Sequence, residues 1–558
     1  MSAEKTIIHH FLDFAQTNKN RTFLHQPFGD KWETYTYGQV EEMARKVANY
    51  ILGQGIKPGS HIGLVSKNCR EWIIADLGIM MAGCVSVPFF ATLTGEQINL
   101  VLRLGDVDML IAGKLEVWDD MGQGVPDDMP LIKFPHYEGN SKIERGKAWE
   151  EIMAETEPLQ DLNLPKSLDD MWTIVFTSGT TGTPKGVVHT YRTLNALVAE
   201  TMASENPLEL SDKGDNRFFS FLPLNHIAER AIVELMSLRF GGDIYFSQDL
   251  AHFAQNLRDA KPTVFFAVPR IWTKFMLGIL AKTPQKKLDT FLKLPILKGM
   301  VKKKVITGLG LENSRCNVSG AAPIAQSTKD WFKRVGVLID EGYGMTESFA
   351  ACSFLKATDD KPGSVGKPAG GMQVKIDPDN QEILMKAGYI MKGYYKDPEK
   401  TAETITDGWL HTGDQGKLDE DGYLFITGRV KDTFKTEKGK FIVPAEIEKY
   451  FDDNTDIEQM CLLGLGMPQP VMTVVLSEIG QGKSKEDLKA SLEATVKAVN
   501  SKLPSYKKLG AMVIVKEAFS VENNTMTPSL KVKRPQVHNL YKDKLLNYCE
   551  DKEIVIWE

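Results

Sequence analysis

The sequence has 558 residues, of which 42% are hydrophobic and 25% charged, and its formal net charge is −6. A single core stops growing near ~250–300 residues, so we expect more than one domain. No basic field indicates a nucleic acid partner, and we expect none. The six cysteines show no CxxC spacing, which predicts neither a zinc site nor a disulfide framework and favours a reducing, cytoplasmic location.

Helix-like and strand-like segments alternate through residues 1–170. The stretch 36–51 carries apolar residues at helical spacing, Val40, Met43, Val47 and Ile51, and is predicted to be a helix. The segment 60–65 is predicted to be a strand. Alternation of this kind predicts a parallel sheet covered by helices.

The apolar stretch from Trp72 to Leu93 is long enough to span a bilayer. Asp76, two glycines and Pro88 interrupt it. We therefore predict a buried helix over 72–82 and a buried strand over 84–88. A membrane anchor is the alternative for this stretch.

A donor-rich loop follows the predicted strand 171–176. Glycines let backbone N–H groups turn inward, hydroxyls add donors and a lysine adds positive charge, which together suit phosphate. The residues concerned are Thr177, Ser178, Gly179, Thr180, Thr181, Gly182 and Lys185. Because Lys185 lies between Pro184 and Gly186, the loop does not match the Walker A pattern.

Further strands are predicted at 217–221, 242–246, 263–268 and 335–340. The last of these precedes Tyr343-Gly-Met-Thr-Glu347. This string offers an aromatic ring to stack on a base, a hydroxyl for a phosphate oxygen and a carboxylate for a hard cation.

Residues 411–429 are predicted to form a turn-rich series of short strands. A compact run of alternating elements follows. A helix is predicted over 485–503, with Ser484 and Asp487 at its start. We therefore place a domain boundary at 430, giving an N-terminal domain of residues 1–430 and a C-terminal domain of residues 431–558.

Taken together, the loop at 177–185 and the string at 343–347 closely resemble two signatures of the AMP-forming adenylate enzymes, in the long-chain fatty acyl-CoA synthetase-like form. The resemblance extends from residue 36 to residue 534. It implies an α/β fold: a large N-terminal part of helix-covered β-sheets, which binds AMP and the acyl group, and a small, mobile α+β C-terminal lid.

The resemblance implies a role for each matching residue. The loop at 177–185 grips the pyrophosphate end of ATP, Tyr343 stacks on adenine, Thr346 meets the α-phosphate, and Glu347 holds Mg²⁺, with Thr177 as a second candidate ligand. The remaining nucleotide-binding residues are Gly320, Ala321, Ala322, Glu341, Gly342 and Gly344. Asp414 and Arg429 match the ribose-binding pair, and Lys431 matches the hinge of the lid.

The stretch from Asn524 to Arg534 resembles the final signature of the family, and Lys531 takes the place of its adenylation lysine. Leu530 stands where the commoner form has glycine, a departure typical of the long-chain subgroup. Lys533 is a weaker competitor for the role.

The segment 221–230 resembles the histidine motif beside the carboxylate pocket. His226 is therefore a candidate to orient the substrate carboxylate or to gate the acyl tunnel, and a structural, hydrogen-bonded histidine is the alternative.

The sequence thus predicts a ligase that uses ATP, Mg²⁺ and coenzyme A to convert a medium- to long-chain fatty acid into acyl-CoA through acyl-AMP. The alternatives are another acyl acceptor, such as a carrier protein, an amine or an internal hydroxyl, or a nucleotide- or lipid-binding protein without turnover. Peripheral membrane association and a homodimer stay open, and the chain length of the substrate cannot be read from the sequence.

Overall fold

The computed structural model describes residues 4–178, 183–204, 206–520, 523–527, 531–550 and 553–558. The chain forms two compact units. The first unit contains Met1–Gln373 and Met385–Leu410, and the second contains Val374–Leu384 and His411–Glu558.

Strands and helices alternate in the first third of the chain, as the sequence predicts. The strands are β1 (Thr22–Phe28), β2 (Lys31–Thr36), β3 (His61–Ser66), β4 (Val85–Phe89), β5 (Val107–Gly113), β6 (Leu131–Lys133) and β7 (Lys147–Ala148). The helices are α1 (Ile7–Thr17), α2 (Tyr37–Gly53), α3 (Arg70–Met81), α4 (Gly95–Leu104), α5 (Trp118–Met121) and α6 (Trp149–Glu155).

The middle third continues the alternation. Its strands are β8 (Met171–Ser178), β9 (Pro184–Thr190), β10 (Arg217–Ser220), β11 (Asp243–Phe246), β12 (Val264–Ala267), β13 (Cys316–Ser319), β14 (Asp340–Tyr343), β15 (Ser353–Leu355) and β16 (Lys367–Pro368). Its helices are α7 (Tyr191–Ser204), α8 (Ile227–Glu229), α9 (Met236–Phe240), α10 (Phe253–Ala260), α11 (Pro269–Lys282), α12 (Gln285–Lys293), α13 (Pro295–Leu309) and α14 (Gln326–Val335). A π-helical segment, Arg230–Leu235, joins α8 to α9.

The last third is richer in short strands. They are β17 (Gln373–Ile376), β18 (Glu382–Lys386), β19 (Gly393–Tyr394), β20 (Ile405–Thr406), β21 (Trp409–Leu418), β22 (Leu424–Arg429), β23 (Phe434–Lys435), β24 (Phe441–Ile442), β25 (Ile457–Leu463), β26 (Val471–Leu476), β27 (Ala511–Ile514) and β28 (Val555–Trp557). The helices are α15 (Pro398–Thr404), α16 (Pro444–Glu448), α17 (Glu478–Gln481), α18 (Lys485–Lys502), α19 (Arg534–Tyr541) and α20 (Leu545–Glu550).

Two mixed sheets form the core of the first unit, and the α/β prediction is confirmed. One has the strand order β19-β9-β8-β4-β3-β5-β6-β7, and the other β16-β15-β14-β13-β12-β10-β11-β1-β2. Neighbouring strands from β8 to β7 in the first order, and from β14 to β1 in the second, run parallel. Parallel neighbours need helical crossovers, which cover the sheets and bury them.

The stretch from Trp72 to Leu93 forms a buried helix and strand, α3 and β4, as predicted. Every residue of α3 is buried, because the helix lies within the unit and has no solvent-facing side. Within the described residues, no helix is long and apolar enough to cross a membrane.

The strand predicted over 335–340 is wrong in its bounds. Helix α14 continues through Val335 and ends at Gly336, whose φ of +96° is left-handed. Glycine reaches this conformation without steric cost and so commonly ends a helix. The strand, β14, begins only at Asp340.

The second unit contains the four-stranded sheet β25-β26-β27-β28. Helix α18 covers it with Leu488, Leu492, Val496 and Val499, and the Ser484 hydroxyl accepts a hydrogen bond from the Asp487 N–H at its start. The predicted helix and its cap are therefore confirmed. Strands β21 and β22 pair antiparallel, with Asp414 opposite Arg429.

Candidate active site

A β-hairpin, β8–β9, carries the ends of the predicted phosphate loop. Its register places Thr177 opposite Lys185 and Ser178 opposite Pro184. Gly179, Thr180, Thr181 and Gly182 lie outside the described residues. The hairpin therefore brings the first hydroxyl and the lysine of the predicted loop to the same end of the sheet.

Tyr394 lies between two of the predicted site residues. Its short strand, β19, pairs with β9, which places Tyr394 opposite Val187. The Lys185 Nζ is 5.5 Å from the centroid of the Tyr394 ring, and the Tyr394 hydroxyl donates to the Glu347 Oε1 at 2.7 Å. Burial, and then the negative charge of Glu347, raise the pKa of Tyr394, so that it stays a donor.

The string from Tyr343 to Glu347 folds back tightly on itself. Tyr343 ends β14, and a single 3₁₀ turn, Thr346–Ser348, follows. A Cβ on Gly344 would lie 2.2 Å from the carbonyl carbon of Ala350, so only glycine fits there. The turn buries Glu347 and leaves Tyr343 and Thr346 half-buried.

His189 holds this turn from the hairpin side, a role that the sequence reasoning missed. Its Nε2 lies 2.8 Å from the Thr346 carbonyl oxygen, which can only accept, so Nε2 carries the proton. Burial lowers the pKa of His189 to about 4, which keeps the ring neutral. The residue stands four positions after Lys185, but no local pattern shows that it reaches Thr346.

The second sheet brings Gly320 and Gly342 together. Strands β13 and β14 are parallel neighbours that end side by side, with Ser319 opposite Glu341. A Cβ on Gly320 would approach the Gly342 carbonyl oxygen to 3.1 Å. Beyond this contact, Ala321 and Ala322 are exposed at the strand end, and Ala321 has a φ of +65°.

The carboxylate of Glu341 is engaged within the unit. Its Oε2 accepts from the Lys329 Nζ of α14 at 2.6 Å, and both side chains are almost completely buried. This ion pair fixes the end of β14 against α14, immediately before Tyr343.

His226 follows β10 and caps the short helix α8. Its Nδ1 accepts from the Ala228 N–H at 3.3 Å, so a neutral ring carries its proton on Nε2. This contact orients the imidazole. It is compatible with both the structural and the substrate-orienting interpretation.

The neighbouring Glu229 is a buried carboxyl. Its Oε1 accepts from the Ser220 hydroxyl at 2.9 Å, the Phe221 N–H at 3.1 Å and, more weakly, the Asn68 Nδ2 at 3.4 Å. Burial raises its pKa from 4.5 to about 8. A carboxyl with this pKa keeps its proton at neutral pH.

Arg230 is the centre of a buried ionic network. It donates to the Asp76 Oδ2 at 2.6 Å, the Glu234 Oε2 at 2.8 Å and the Thr173 hydroxyl at 2.8 Å. Burial raises the pKa of Glu234 well above its ordinary value. The Arg230 guanidinium thus bridges the Asp76 and Glu234 carboxyl groups inside the unit.

This network connects the histidine motif to the strand of the phosphate loop. The Arg230 guanidinium lies 4.1 Å from the ring centroid of Trp172, which is on β8 beside Thr173. Trp172 stacks on Phe349 at 5.7 Å, and Phe349 follows the turn that holds Glu347. The signal in the sequence was Asp76 within an apolar run, since a buried charge is normally paired.

The second unit carries the predicted ribose-binding pair. Arg429 Nε and Asp414 Oδ1 are 3.0 Å apart across β21 and β22. Asp414 is buried, whereas the Arg429 side chain is about half exposed. Lys431 is exposed in the 3₁₀ turn Val430–Asp432 that follows.

Lys531 lies at the base of a hairpin-like loop in the same unit. The Thr527 N–H donates to the Lys531 carbonyl oxygen at 2.8 Å, and the Lys531 N–H donates to the Thr527 hydroxyl at 3.0 Å. The Lys531 side chain is exposed. The competing Lys533 donates its ammonium to the Asn524 Oδ1 at 2.7 Å. Leu530 and its two predecessors, 528 and 529, lie outside the described residues.

Arg534 anchors this loop, which sequence reasoning did not predict. It donates to both carboxylate oxygens of Glu448, at 2.7 and 3.0 Å, and to the Leu462 carbonyl oxygen at 2.6 Å. It also lies 3.5 Å from Asp432, in the turn that contains Lys431. The Arg534 guanidinium thus connects the loop that contains Lys531 with the turn that contains Lys431, the predicted hinge.

Glu347 is the candidate Mg²⁺ ligand, and it offers a single carboxylate rather than a cluster of protein ligands. Among the described residues, no group of three or more His, Cys, Asp or Glu side chains could hold a metal ion. Mg²⁺ is commonly held by one or two carboxylates while water and substrate phosphates complete its shell. The buried Glu347 carboxylate, linked through Tyr394 to the hairpin of the predicted phosphate loop, fits that pattern.

Comparisons with known proteins agree with the motifs. A family model described as AMP-binding enzyme matches residues 11–395, and a model described as AMP-binding enzyme C-terminal domain matches residues 431–553. The long-chain-fatty-acid–CoA ligase 5 of Rattus norvegicus is 30% identical, over 95% of this chain and 85% of its own. The long-chain-fatty-acid–CoA ligase 1 of Homo sapiens is 28% identical, over 92% and 82%.

Solved structures share the fold. The anthranilate CoA ligase AuaEII in complex with anthranoyl-AMP is 21% identical with a TM-score of 0.78, over 98% of this chain and 99% of its own. The A domain of a carboxylic acid reductase from Segniliparus rugosus, in complex with AMP and a co-purified carboxylic acid, is 20% identical with a TM-score of 0.78, over 97% and 93%.

Proposed function

The chain belongs to the AMP-binding enzyme family, and we propose that it joins a fatty acid of medium to long chain to coenzyme A. The observation that carries the proposal is the placement of Lys185 and Glu347 on either side of Tyr394, at the end of the β8–β9 hairpin. Lys185 can contact phosphate oxygens and Glu347 can hold a metal ion, so their fixed relation suits the triphosphate of ATP. The names of the fatty-acid–CoA ligase relatives support the substrate class.

In the first half-reaction, a carboxylate oxygen of the fatty acid attacks the α-phosphorus of ATP, and pyrophosphate leaves. Lys185 and the loop at 177–182 hold the departing phosphates, Thr346 contacts the α-phosphate, and Tyr343 stacks on adenine. Gly320, Ala321, Ala322, Gly342 and Gly344 line the nucleotide pocket, where small residues let the backbone approach the ligand. Glu341 lies in the same wall, and its carboxylate is held by Lys329.

Glu347, with the Thr177 hydroxyl as a second ligand, would hold Mg²⁺. When bound, the ion neutralises phosphate charge and aligns the displacement. The chain's own contribution is orientation, because the Tyr394 hydroxyl and the turn held by His189 fix the Glu347 carboxylate.

Residues 431–558 form the proposed lid, with Lys431 as its hinge and Asp414 and Arg429 as the ribose pair before it. The bounds of the C-terminal family match support this division. Lys531 stabilises the charge that develops on the α-phosphate and carboxylate oxygens, an effect worth ~3–4 kcal/mol for a well-placed donor. Its exposure on an anchored loop supports the assignment over Lys533.

In the second half-reaction, the thiol of coenzyme A attacks the carbonyl carbon of acyl-AMP, the thiol proton goes to solvent, and AMP leaves. His226 acts earlier, in the first half-reaction, where it orients the substrate carboxylate. We also infer a cytoplasmic location. For the reaction, the alternatives are another acyl acceptor and a binding protein without turnover. For the oligomeric state, a homodimer is the candidate.

The test is ATP-dependent AMP release with coenzyme A, across carboxylates from acetate to oleate. We expect turnover that depends on coenzyme A and peaks at a medium or long chain. Lys531→Ala should lower the ATP–pyrophosphate exchange rate at least about 100-fold, whereas the matched control Lys533→Ala should change it little. Exchange without coenzyme-dependent turnover would indicate another acceptor, and the absence of exchange would refute adenylation.

A further inference from the structure

Three large apolar side chains are exposed close together at the junction of α12 and α13. Leu294 is 49% exposed, Ile296 82% and Met300 63%. Ile296 is the most exposed large apolar residue that the described part of the chain contains. Neighbouring apolar side chains at this exposure commonly mark an interaction surface.

The spacing on α13 places Ile296 and Met300 on its outer face. They are four positions apart, so they lie one above the other on the helix. Val301 and Val305 lie on the inner face and pack against the apolar cluster that contains Trp272 of α11. The outer side chains are therefore not part of the core of the first unit.

The stretch of sequence that contains these apolar side chains is rich in lysine. Between Lys282 and Leu309 the sequence contains one acidic residue and eight lysines, Lys282, Lys286, Lys287, Lys293, Lys298, Lys302, Lys303 and Lys304. The one acid, Asp289, is 2.5 Å from Arg334. The stretch is thus strongly positive in a chain whose net charge is −6.

We define the lysine-rimmed patch as Leu294, Ile296 and Met300 with Lys293, Lys303 and Lys304, all of them exposed. We propose that this patch docks the protein on an anionic lipid bilayer. Apolar side chains on an outer helix face can enter the boundary between headgroups and acyl chains, while long lysine side chains reach anionic headgroups.

Charge complementarity selects this partner. A second copy of the chain, packed through the same patch, would bring two sets of lysines together and would be repelled. An anionic surface neutralises the lysines, and the hydrocarbon boundary removes Ile296 and Met300 from water. Neither effect needs a membrane-spanning segment.

The patch is tested by flotation of the purified full chain with vesicles of phosphatidylcholine alone or with about one third phosphatidylserine. We expect binding only to the anionic vesicles, and weaker binding as the salt concentration rises, because salt screens exposed charges. Equal binding to both vesicle types, or to neither, would overturn the proposal.

Two variants separate the apolar and ionic contributions. Ile296→Ser with Met300→Ser should lower the partition coefficient about tenfold or more, since two apolar side chains no longer enter the boundary. Lys293→Gln, Lys303→Gln and Lys304→Gln together should lower it about fivefold per lysine. The matched controls are Leu250→Ser, which removes an apolar side chain of 73% exposure elsewhere in the same unit, and Lys31→Gln with Lys142→Gln.

Unchanged flotation of both patch variants would refute the patch, and so would a loss of binding as large in the controls. A concentration-dependent dimer that only the patch variants abolish would instead show an interface between copies and also overturn the proposal. Flotation needs no substrate, so its outcome is independent of the proposed ligase activity. Turnover of a short, water-soluble carboxylate should be the same in patch variants and wild type.

Discussion

At the scale of single residues, Tyr394 connects groups that lie far apart in the sequence. Its ring lies beside Lys185 of the hairpin, and its hydroxyl donates to Glu347 at 2.7 Å. A hydrogen bond to a metal-binding carboxylate orients it, and the loss of such a partner typically costs 10–100-fold in metal affinity or activity. We therefore propose that Tyr394 is a positioning residue for Glu347, should Glu347 hold Mg²⁺.

Tyr394→Phe keeps the ring beside Lys185 and removes only the hydroxyl. We expect the Mg²⁺ concentration for half-maximal ATP–pyrophosphate exchange to rise about tenfold, with a smaller change in the KM for ATP. The matched control is Tyr395→Phe, because the Tyr395 hydroxyl donates to Asp106 at the same distance of 2.7 Å but lies in an exposed contact. Equal Mg²⁺ requirements in both variants would contradict the positioning role.

Glu229 gives the folded protein a pH dependence. Its pKa is about 8 in the folded chain, compared with an ordinary value of 4.5. Between these values the folded chain holds a proton that the unfolded chain has lost. The contribution of Glu229 to the free energy of unfolding therefore falls as pH rises from about 4.5 to 8, by ~1.4 kcal/mol per pH unit at most.

Glu229→Gln replaces the protonated carboxyl with a neutral group of similar shape. We expect the variant to gain stability relative to wild type as pH rises from 6 to 8, since the amide has no proton to lose. Urea unfolding followed at both pH values measures the difference. A constant difference between the two proteins at pH 6 and pH 8 would show that Glu229 does not titrate in this range.

At the scale of secondary-structure elements, Arg534 joins three pieces of the second unit. It begins α19, directly after the Lys531 loop, and binds Glu448 at the end of α16 and Asp432 beside the predicted hinge. Bidentate contacts between guanidinium and carboxylate fix orientation as well as distance. The geometry of the loop thus depends on a side chain three positions beyond its lysine.

Arg534→Lys retains the positive charge but loses the planar fork. We expect the kcat of ATP–pyrophosphate exchange to fall about tenfold with an unchanged KM for ATP, because Lys531 is less well held. The rate at which coenzyme A discharges supplied acyl-AMP should change little. An equal loss in both half-reactions would indicate general damage to the second unit.

Most elements could be predicted because their signals are local. The helix at 36–51 appears as Tyr37–Gly53, and the strand at 171–176 as Met171–Ser178, since apolar spacing and caps lie within the element itself. The strand predicted at 335–340 was displaced, because Val337 and Ile339 are buried without belonging to a strand. The spacing of apolar residues indicates which side chains are buried, but it does not show whether the backbone pairs with a neighbouring strand.

The predicted site residues come from motifs, and the contacts that hold them could not be read from the sequence. His189 and Thr346 are 157 positions apart, and Arg230 and Asp76 are 154 apart. A hydrogen bond across such a distance depends on which strands become neighbours. A single sequence fixes neither the strand order nor the rotamers.

At the scale of the whole molecule, the network around Arg230 connects elements of the first unit. Asp76 lies on α3, Thr173 on β8, and Arg230 and Glu234 on the π-helical segment. All the charged side chains involved are completely buried. Removing one partner of such a network leaves an uncompensated charge inside the protein.

Arg230→Met should destabilise the first unit by about 3–5 kcal/mol, because Asp76 loses its guanidinium. Urea unfolding of the full chain, followed by tryptophan fluorescence, measures the loss near Trp72 and Trp172. The control is Arg192→Met, which removes an exposed ion pair with Asp169 and should change stability little. Similar losses in the two variants would show that the network contributes no more than a surface pair.

The buried network also constrains how this sequence can evolve. Asp76, Arg230 and Glu234 can be replaced together by apolar residues at little cost, whereas each single replacement passes through an unstable protein. Successive one-residue changes are therefore blocked although the end point is accessible. We expect related sequences to keep all three of these residues or to have replaced all three.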